Sequence, residues 1–455
     1  MIYDLAIIGG GPGGYEAAAK AGAAGLNVII FEKHQLGGTC LNRGCIPTKA
    51  LLHSAEVYSH IAKAAELGIK VDSLSYDFDV MHQRKSAIVD GLRQGIAKLM
   101  KMSKVTVAEG QAQVSGPNQI TCNDTTYEAK NIIIATGSVP FVPPIAGHEL
   151  DGVYTSNELL ENGGKKLDSL VVIGGGVIGV ECASIYLPLG CKVTILELAD
   201  HILPPMDKET AQRLTMLLKK QGANIQTKVN VTSISGEPYR MAVTYVDKKG
   251  VENIVEAAGV LVATGRRANT ENLFTEGNVP EMERGAIIGD NLGRTSIPNM
   301  YVIGDAKARN IQLAHVASAQ GKNIVDVILG KEPLIDESVV PSCVYTNPEI
   351  ASVGMTEDEA KSAGIAVKCG KALTGANGKC IIEGRESGYL KIVSAADSGI
   401  ILGAQLVCPR ATDMLAELTL AVQQKLTIQQ LGAVIHPHPT ICEMVAGACE
   451  QILAK

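Results

Sequence analysis

Two cysteines, Cys40 and Cys45, stand with four residues between them in the run GGTCLNRGCIPTKALL. Three kinds of chemistry compete for such a pair. A zinc knuckle or a thioredoxin-like site has a two-residue gap, and no second cysteine pair is present to complete four metal ligands, so the spacing argues against a metal. Two unrelated buried thiols remain a possible reading. The third is a redox disulfide, and the neighbouring residues favour it. Pro47 suits the first turn of a helix, and Lys49 to Val57 has helical character. Cys45 then sits at or near a helix N-terminus, where partial positive charge favours a thiolate, and Lys49 adds to that field. The small ring closed by a Cys40–Cys45 bond gains little loop entropy, so stability is a poor reason for it. A readily reduced, functional bond is the better account.

The other nine of the eleven cysteines are scattered, as Cys122, Cys182 and Cys191 illustrate, and read as small buried hydrophobes. A secreted disulfide scaffold does not suit 455 residues, so the expected compartment is reducing and cytoplasmic. Near the end of the chain, IHPHPTICE brings together His436, His438 and Glu443. Thr440-x-x-Glu443 reads as a capping box. A metal pair of His436 and His438 is awkward with Pro437 between them. A histidine near its ordinary pKa, with its tautomer fixed by a carboxylate, is an acid–base group at neutral pH.

The elements that must position these groups come as a duplication. Residues 3–32 run from a β-branched strand into Gly9-x-Gly11-x-x-Gly14, an alanine-rich helix, and a second strand ending at Glu32. This is a βαβ unit with a dinucleotide fingerprint: a tight turn, close backbone approach to a pyrophosphate, and close packing of helix on strand. Residues 169–197 repeat it with Gly174, Gly176, Gly179 and Glu197. Glu197 favours NAD over NADP, because a carboxylate accepts bonds from a free 2′-hydroxyl and repels a 2′-phosphate. The segments IIIATGSVP (132–140) and VLVATGRRA (260–268) form a second similar pair. Two dinucleotide sites in series imply two dinucleotides. Helices are expected over His53 to Leu99, within Asp200 to Ala223, and over 355–363 and 410–425. Strands are expected within 105–137, 225–262, 387–393 and 399–407.

Composition sets outer bounds. Forty-eight glycines, no Trp and 4% aromatics favour an α/β protein, and 46% hydrophobic with 19% charged residues suits a globular core. The net charge is −6 and no basic stripe occurs, which argues against nucleic acid as a partner. No apolar run is long enough to span a bilayer, so no membrane partner is expected. The N-terminus enters a strand at Ile2 to Ile8, so neither a signal peptide nor an attached carrier module is expected there.

Two fingerprints with GGTCLNRGCIPTK after the first resemble the pyridine nucleotide–disulfide oxidoreductase family, and the resemblance runs through nearly the whole chain. It implies two Rossmann-like domains and a C-terminal α+β dimerisation domain, as in glutathione reductase-like folds. The implied division is 1–147 for FAD, 148–271 for NAD, 272–338 completing the FAD site, and 339–455 for the subunit interface. FAD is expected against Gly9, Gly11, Gly14, Glu32, Lys33, Thr39, Lys49, Gly110, Ala112, Thr136 and Gly137. Asp305 of MYVIGDA joins them, although alone that motif reads equally as a strand and a Gly-Asp turn. Ala314 and His315 are expected to cover the flavin. NAD is expected against Gly174, Gly176, Gly179, Glu197, Val229, Gly265 and Arg266.

Glu181 resembles the acid that pairs with Lys49; in isolation it reads as an exposed helix glutamate. His438 resembles the acid–base group, Glu443 its orienting partner, and a cis bond is expected before Pro439. The base reaches the disulfide from the other subunit, so a homodimer is implied, and YTNPEIASVGMTE (345–357) resembles the start of the interface domain. Gln320, Ala268 and Pro437 depart from the family pattern. The activity implied is oxidation of protein-bound dihydrolipoamide with NAD⁺. The lipoyl domain of a 2-oxoacid dehydrogenase or glycine-cleavage complex would then be the partner. NADH-dependent reduction of a small disulfide is an alternative, and a non-catalytic flavoprotein subunit is another.

Overall fold

A computed structural model describes residues 2–161, 165–384 and 387–454. The first βαβ unit is β1 (Ile2–Ile8), α1 (Pro12–Ala23) and β2 (Val28–Glu32). Leu5 to Ile7 and Val28 to Ile30 are fully buried, as parallel strands covered on both faces must be. Two helices follow, α2 (Gly38–Arg43) and α3 (Cys45–Ala62). They are separate because Gly44 leaves helical geometry, and a Cβ there would stand 2.9 Å from the Thr39 carbonyl oxygen. The helical stretch expected from His53 to Leu99 is likewise broken, with α4 starting afresh at Phe78 and running to Met102. Asp77 caps it by accepting from the Val80 amide. The region 105–137 forms β3 (Thr106–Glu109), β4 (Ala112–Gly116), β5 (Gln119–Cys122) and β6 (Thr125–Ile134). The sheet order is β3-β2-β1-β6-β5-β4.

After the short β7 (Ser138–Pro140), the repeat begins with β8 (Val153–Tyr154) and α5 (Ser156–Leu160). Its βαβ unit is β9 (Ser169–Ile173), α6 (Val177–Tyr186) and β10 (Lys192–Glu197). Next come α7 (Lys208–Lys220), β11 (Asn224–Thr227), β12 (Asn230–Glu237), β13 (Arg240–Val246), β14 (Glu252–Ala257) and β15 (Gly259–Val262). The parallel sheet runs β11-β10-β9-β15-β8, and β12-β13-β14 is a separate antiparallel sheet. Then β16 (Arg266–Ala268) pairs antiparallel with β7, which stitches the two repeats together directly after their Ala-Thr-Gly segments.

The hairpin β17 (Met282–Glu283) and β18 (Ala286–Ile287) leads to β19 (Met300–Val302), which returns to the first sheet beside β6. Helix α8 (Ala314–Ile328) follows. The last sheet is antiparallel: β20 (Ser342–Val344), β21 (Glu349–Gly354), β22 (Val367–Leu373), β23 (Tyr389–Ala395) and β24 (Ile401–Cys408), in the order β20-β21-β24-β23-β22. Its helices are α9 (Glu357–Ser362), α10 (Gly378–Ile382), α11 (Ala411–Gln423), α12 (Ile428–Gly432) and α13 (Glu443–Leu453). The bonds before Pro348 and Pro439 are cis.

One sequence expectation needs correction. Cys343, Cys369 and Cys442 are only half-buried, unlike Cys122, Cys182 and Cys191. Cys343 lines a cavity, and Cys442 stands just before the first turn of α13.

Candidate active site

The two fingerprints build two cradles of the same design. Gly9 and Gly174 have φ of +111° and +106°, a region that favours glycine. A Cβ on Gly9 would lie 2.2 Å from the Ala135 carbonyl oxygen, and one on Gly174 2.4 Å from that of Ala263. Gly14 and Gly179 let their helices close on the turn, since a Cβ would meet the Gly9 oxygen at 1.9 Å and the Gly174 oxygen at 2.1 Å. Glu32 accepts from the Gly10 and His34 amides, both at 2.8 Å. Glu197 does the same with Gly175 and Ala199, at 2.6 and 2.7 Å. Each carboxylate is therefore held at the rim of its glycine turn, where ribose hydroxyls of a bound dinucleotide would meet it.

Both cradles open on one cavity of about 1720 Å³. Its walls include Gly9, Gly11, Glu32, Lys33, Thr39, Gly110, Ala112, Thr136, Gly137, Asp305, Ala314 and His315 on one side. Gly174, Gly176, Glu197, Val229, Gly265 and Arg266 line the other, and Cys40, Cys45, Lys49 and Glu181 lie on the same surface. Gly14 and Gly179 stand behind the wall as packing residues. A long, continuous cavity with a glycine-backed phosphate cradle at each of two sites fits two dinucleotides.

Cys40 ends up on α2 and Cys45 on the first turn of α3, with the helix break at Gly44 folding one over the other. Interaction between the two neighbouring thiols lowers the Cys45 pKa to about 7 and pushes that of Cys40 far up. Burial works against the Cys45 thiolate, Lys49 favours it, and Glu181 opposes it. Lys49 is one turn along α3 and binds both Glu181 oxygens, at 3.0 and 2.8 Å. Glu181 is buried on α6, not exposed. Its Oε1 also accepts from the Tyr345 amide at 2.9 Å, and the Lys49 ammonium lies 4.3 Å from the centre of the Tyr345 ring. Tyr345 thus ties the C-terminal unit to the thiol pair. Sequence reading missed it because a backbone amide leaves no signature in residue type.

Asp305 sits on a short 3₁₀ turn after β19 and accepts from Ser138 Oγ at 2.6 Å. Ser138 was not singled out from the sequence, although it directly follows the first Ala-Thr-Gly. Arg266 extends toward the same place: its Nε donates to Ser138 Oγ and its Nη2 to the Ser138 carbonyl oxygen, both at 2.7 Å. Gln320, one of the departures, accepts from the Gly304 amide at 2.8 Å and donates to Asn310 at 2.9 Å, so a neutral amide satisfies that corner. Ala268 is the last residue of β16, opposite Ser138. Among the described residues, no group of three or more His, Cys, Asp or Glu is placed to hold a metal ion.

His438 and Glu443 are brought together, with His438 Nδ1 2.8 Å from Glu443 Oε1. That bond holds the Glu443 carboxyl below its usual range. The capping box is half formed: the Thr440 amide donates to Glu443 Oε2, while Thr440 Oγ1 turns to the Pro437 carbonyl. Helix α13 starts only at Glu443, so Thr440 is not its cap. His436 is set apart, 3.1 Å from Glu417 on α11. Within one chain the histidine pair does not line the cavity, and the His438 side chain is 80% exposed.

The chain is similar to known proteins along its whole length. Residues 3–321 match the pyridine nucleotide-disulphide oxidoreductase family and residues 340–449 its dimerisation domain. Dihydrolipoyl dehydrogenase from Bacillus subtilis (strain 168) is 40% identical, covering 98% of this chain and 97% of its own. The enzyme of that name from Thermus scotoductus is 40% identical over 99% and 97%. Among solved structures, the HOCl-induced flavoprotein disulfide reductase RclA from Escherichia coli superposes with a TM-score of 0.88 at 28% identity, covering 99% of this chain and 100% of its own. The chain belongs to the pyridine nucleotide-disulphide oxidoreductase family.

Proposed function

We propose that the protein is a homodimer that oxidises dihydrolipoamide to lipoamide with NAD⁺, using FAD and the Cys40–Cys45 pair. One observation carries this reading: the thiol pair, with Cys45 lowered to about 7, opens on the same cavity as both cradles. FAD lies in the Gly9 cradle and against Asp305, and NAD in the Gly174 cradle. Residues 1–147 and 272–338 form the FAD part, 148–271 the NAD part and 339–455 the subunit interface. A second copy supplies His438, which explains why an exposed histidine hydrogen-bonded to Glu443 stands outside the cavity of its own chain. The substrate is carried on a lipoyl domain of a 2-oxoacid dehydrogenase or glycine-cleavage complex, in the cytoplasm.

The chain's own groups account for the thiol steps. His438, oriented by Glu443, takes a proton from one substrate thiol. The resulting thiolate attacks Cys40 Sγ and breaks the Cys40–Cys45 bond. Attack falls on Cys40 because the sulfur of lower pKa leaves faster, and that is Cys45. The second substrate thiol then attacks the substrate sulfur bonded to Cys40, closes the substrate disulfide and releases Cys40, whose thiolate takes up the proton of that second thiol. Lys49 holds the Cys45 thiolate, and Glu181 and Tyr345 hold Lys49. FAD, when bound, supplies the two-electron acceptor between the cysteine pair and NAD⁺. The net change is dihydrolipoamide plus NAD⁺ to lipoamide, NADH and a proton.

The test compares NADH-dependent reduction of lipoamide and of glutathione disulfide by the purified holoenzyme. Lipoamide is expected to be strongly preferred. Preference for glutathione disulfide would replace the substrate with a small soluble disulfide, and failure to reduce either would remove the catalytic reading.

A further inference from the structure

We propose that Arg266 is a positioning residue for the flavin site, acting through Ser138 on Asp305, even though it follows the strand that ends under the Gly174 cradle. The proposal rests on the reading of Asp305 as a flavin residue. Its basis is a directed chain of bonds. Ser138 has a single hydroxyl proton. Asp305 offers only acceptors, so that proton points to Asp305 Oδ2 at 2.6 Å. The lone pairs left on Ser138 Oγ accept from Arg266 Nε at 2.7 Å. Arg266 cannot act as an acceptor, so it fixes the direction of the hydroxyl and, through it, one oxygen of Asp305. The other oxygen is left for a ligand.

The frame around this chain is rigid. Strands β7 and β16 pair antiparallel, with Ala268 opposite Ser138 and Arg266 opposite Pro140. Bonds flank the ribbon on both sides: the Asn269 amide donates to the Gly137 carbonyl at 2.9 Å, and the Phe141 amide to that of Gly265 at 2.9 Å. Ser138 is buried. The Arg266 guanidinium is also largely withdrawn from water, which lowers its pKa, and the opposing carboxylate of Asp305 is the first group that offsets this. Arg266 therefore directs two of its five N–H donors to Ser138 of the first repeat. The same ribbon joins the two cradles, so the chain also gives the NAD-side strand a direct hold on the flavin side.

The test uses holoenzyme carrying Asp305→Ala, Ser138→Ala, Arg266→Met, Arg266→Lys, or Ser138→Ala with Arg266→Met. The readouts are the FAD dissociation constant, the flavin midpoint potential and the NAD⁺ dissociation constant. Loss of a charge-assisted bond corresponds to about a tenfold change in affinity. Ser138→Ala and Arg266→Met are each expected to weaken FAD by about that factor. The double variant should be no worse than the weaker single one, and NAD⁺ affinity should change less than FAD affinity. Arg266→Met should also shift the flavin potential to more negative values through loss of a cation. Arg266→Lys keeps the charge and should return the potential toward wild type. This pattern also separates positioning from misfolding, since a collapsed site would show no such recovery. If Asp305→Ala weakens FAD while Ser138→Ala and Arg266→Met do not, the relay is wrong and the flavin reading stands. If Asp305→Ala leaves FAD unchanged, both fall. Additive effects in the double variant, or a larger effect on NAD⁺ than on FAD, would also overturn the relay.

Discussion

The two cradles share their stereochemistry and differ in what surrounds them. The match extends past the glycines: Gly37 donates to the Gly10 carbonyl at 2.7 Å, and Leu203 donates to that of Gly175 at 2.8 Å. The second glycine of each fingerprint is where they diverge. Gly11 is roofed by Gly38, whose Cβ, if present, would stand 2.6 Å from the Gly11 Cα. Among the described residues, nothing lies within 4 Å of a Cβ placed on Gly176. Helix α1 is also clamped by α8, where a Cβ on Gly13 would meet the Ala317 oxygen at 2.9 Å, whereas Ile178 in the equivalent place on α6 lines the cavity. A roofed, clamped cradle suits a dinucleotide that stays, and an open one suits a dinucleotide that exchanges.

One acidic position shows the same divergence. Glu16 and Glu181 occupy equivalent places on α1 and α6. Glu16 pairs with Lys322 of α8, with both side chains partly exposed. Glu181 is buried and pairs with Lys49 beside the thiols. The duplicated fold thus supplies an acid twice. In one copy it fastens two helices, and in the other it holds a cation beside the thiol pair.

The largest effect should come from closing each cradle in turn. Gly14→Val is expected to yield protein without bound flavin, read as loss of absorbance near the visible flavin band. Gly179→Val should keep its flavin and bind NAD⁺ about 100-fold more weakly, roughly 2.7 kcal/mol. Loss of the same dinucleotide in both variants would break the comparison.

The next contrast is between the two acids. Lys49→Met removes the cation that favours the Cys45 thiolate, so the Cys45 pKa rises from about 7. At pH 7, alkylation of Cys45 in the reduced protein should slow by about tenfold. In the wild type, the thiolate dominates above pH 7 and falls about tenfold per unit below it, so alkylation should follow the same curve. Lys322→Met removes the partner of Glu16 and should leave that curve in place, with stability changed by about 0.5 kcal/mol or less. Equal effects from the two substitutions would mean that the duplication had not diverged.

The smallest effect concerns nucleotide choice. Glu197→Gln removes the carboxylate's repulsion of a 2′-phosphate and keeps an oxygen acceptor for only one of the Gly175 and Ala199 amides, which bind different oxygens of Glu197. The preference for NAD⁺ over NADP⁺ should narrow by about tenfold, measured as a ratio of kcat/KM. An unchanged ratio would assign discrimination to other residues of the open cradle.

Much of this was legible in residue spacing. The glycine turns, both terminal carboxylates and the thiol pair depend on local geometry, which repeated motifs report directly. The Lys49–Glu181 and His438–Glu443 pairs followed from motif resemblance and are formed. The rest depends on tertiary contacts. The direction of the Arg266 side chain is set by β7 pairing with β16, two strands of three residues each that carry no periodic signal. The separate helix at Gly38–Arg43 depends on a single unusual backbone conformation at Gly44. The roof over Gly11 depends on Gly38, which in sequence is simply part of a glycine pair before the cysteines.

The central claim is that substrate electrons enter at Cys40 and reach the flavin through Cys45, while NADH reaches the flavin from the second cradle of the shared cavity. Anaerobic stopped-flow reduction of Cys45→Ser holoenzyme tests it with the two reductants side by side. The account predicts normal flavin bleaching by NADH and none by dihydrolipoamide on the turnover timescale. Bleaching by dihydrolipoamide at the wild-type rate would contradict it.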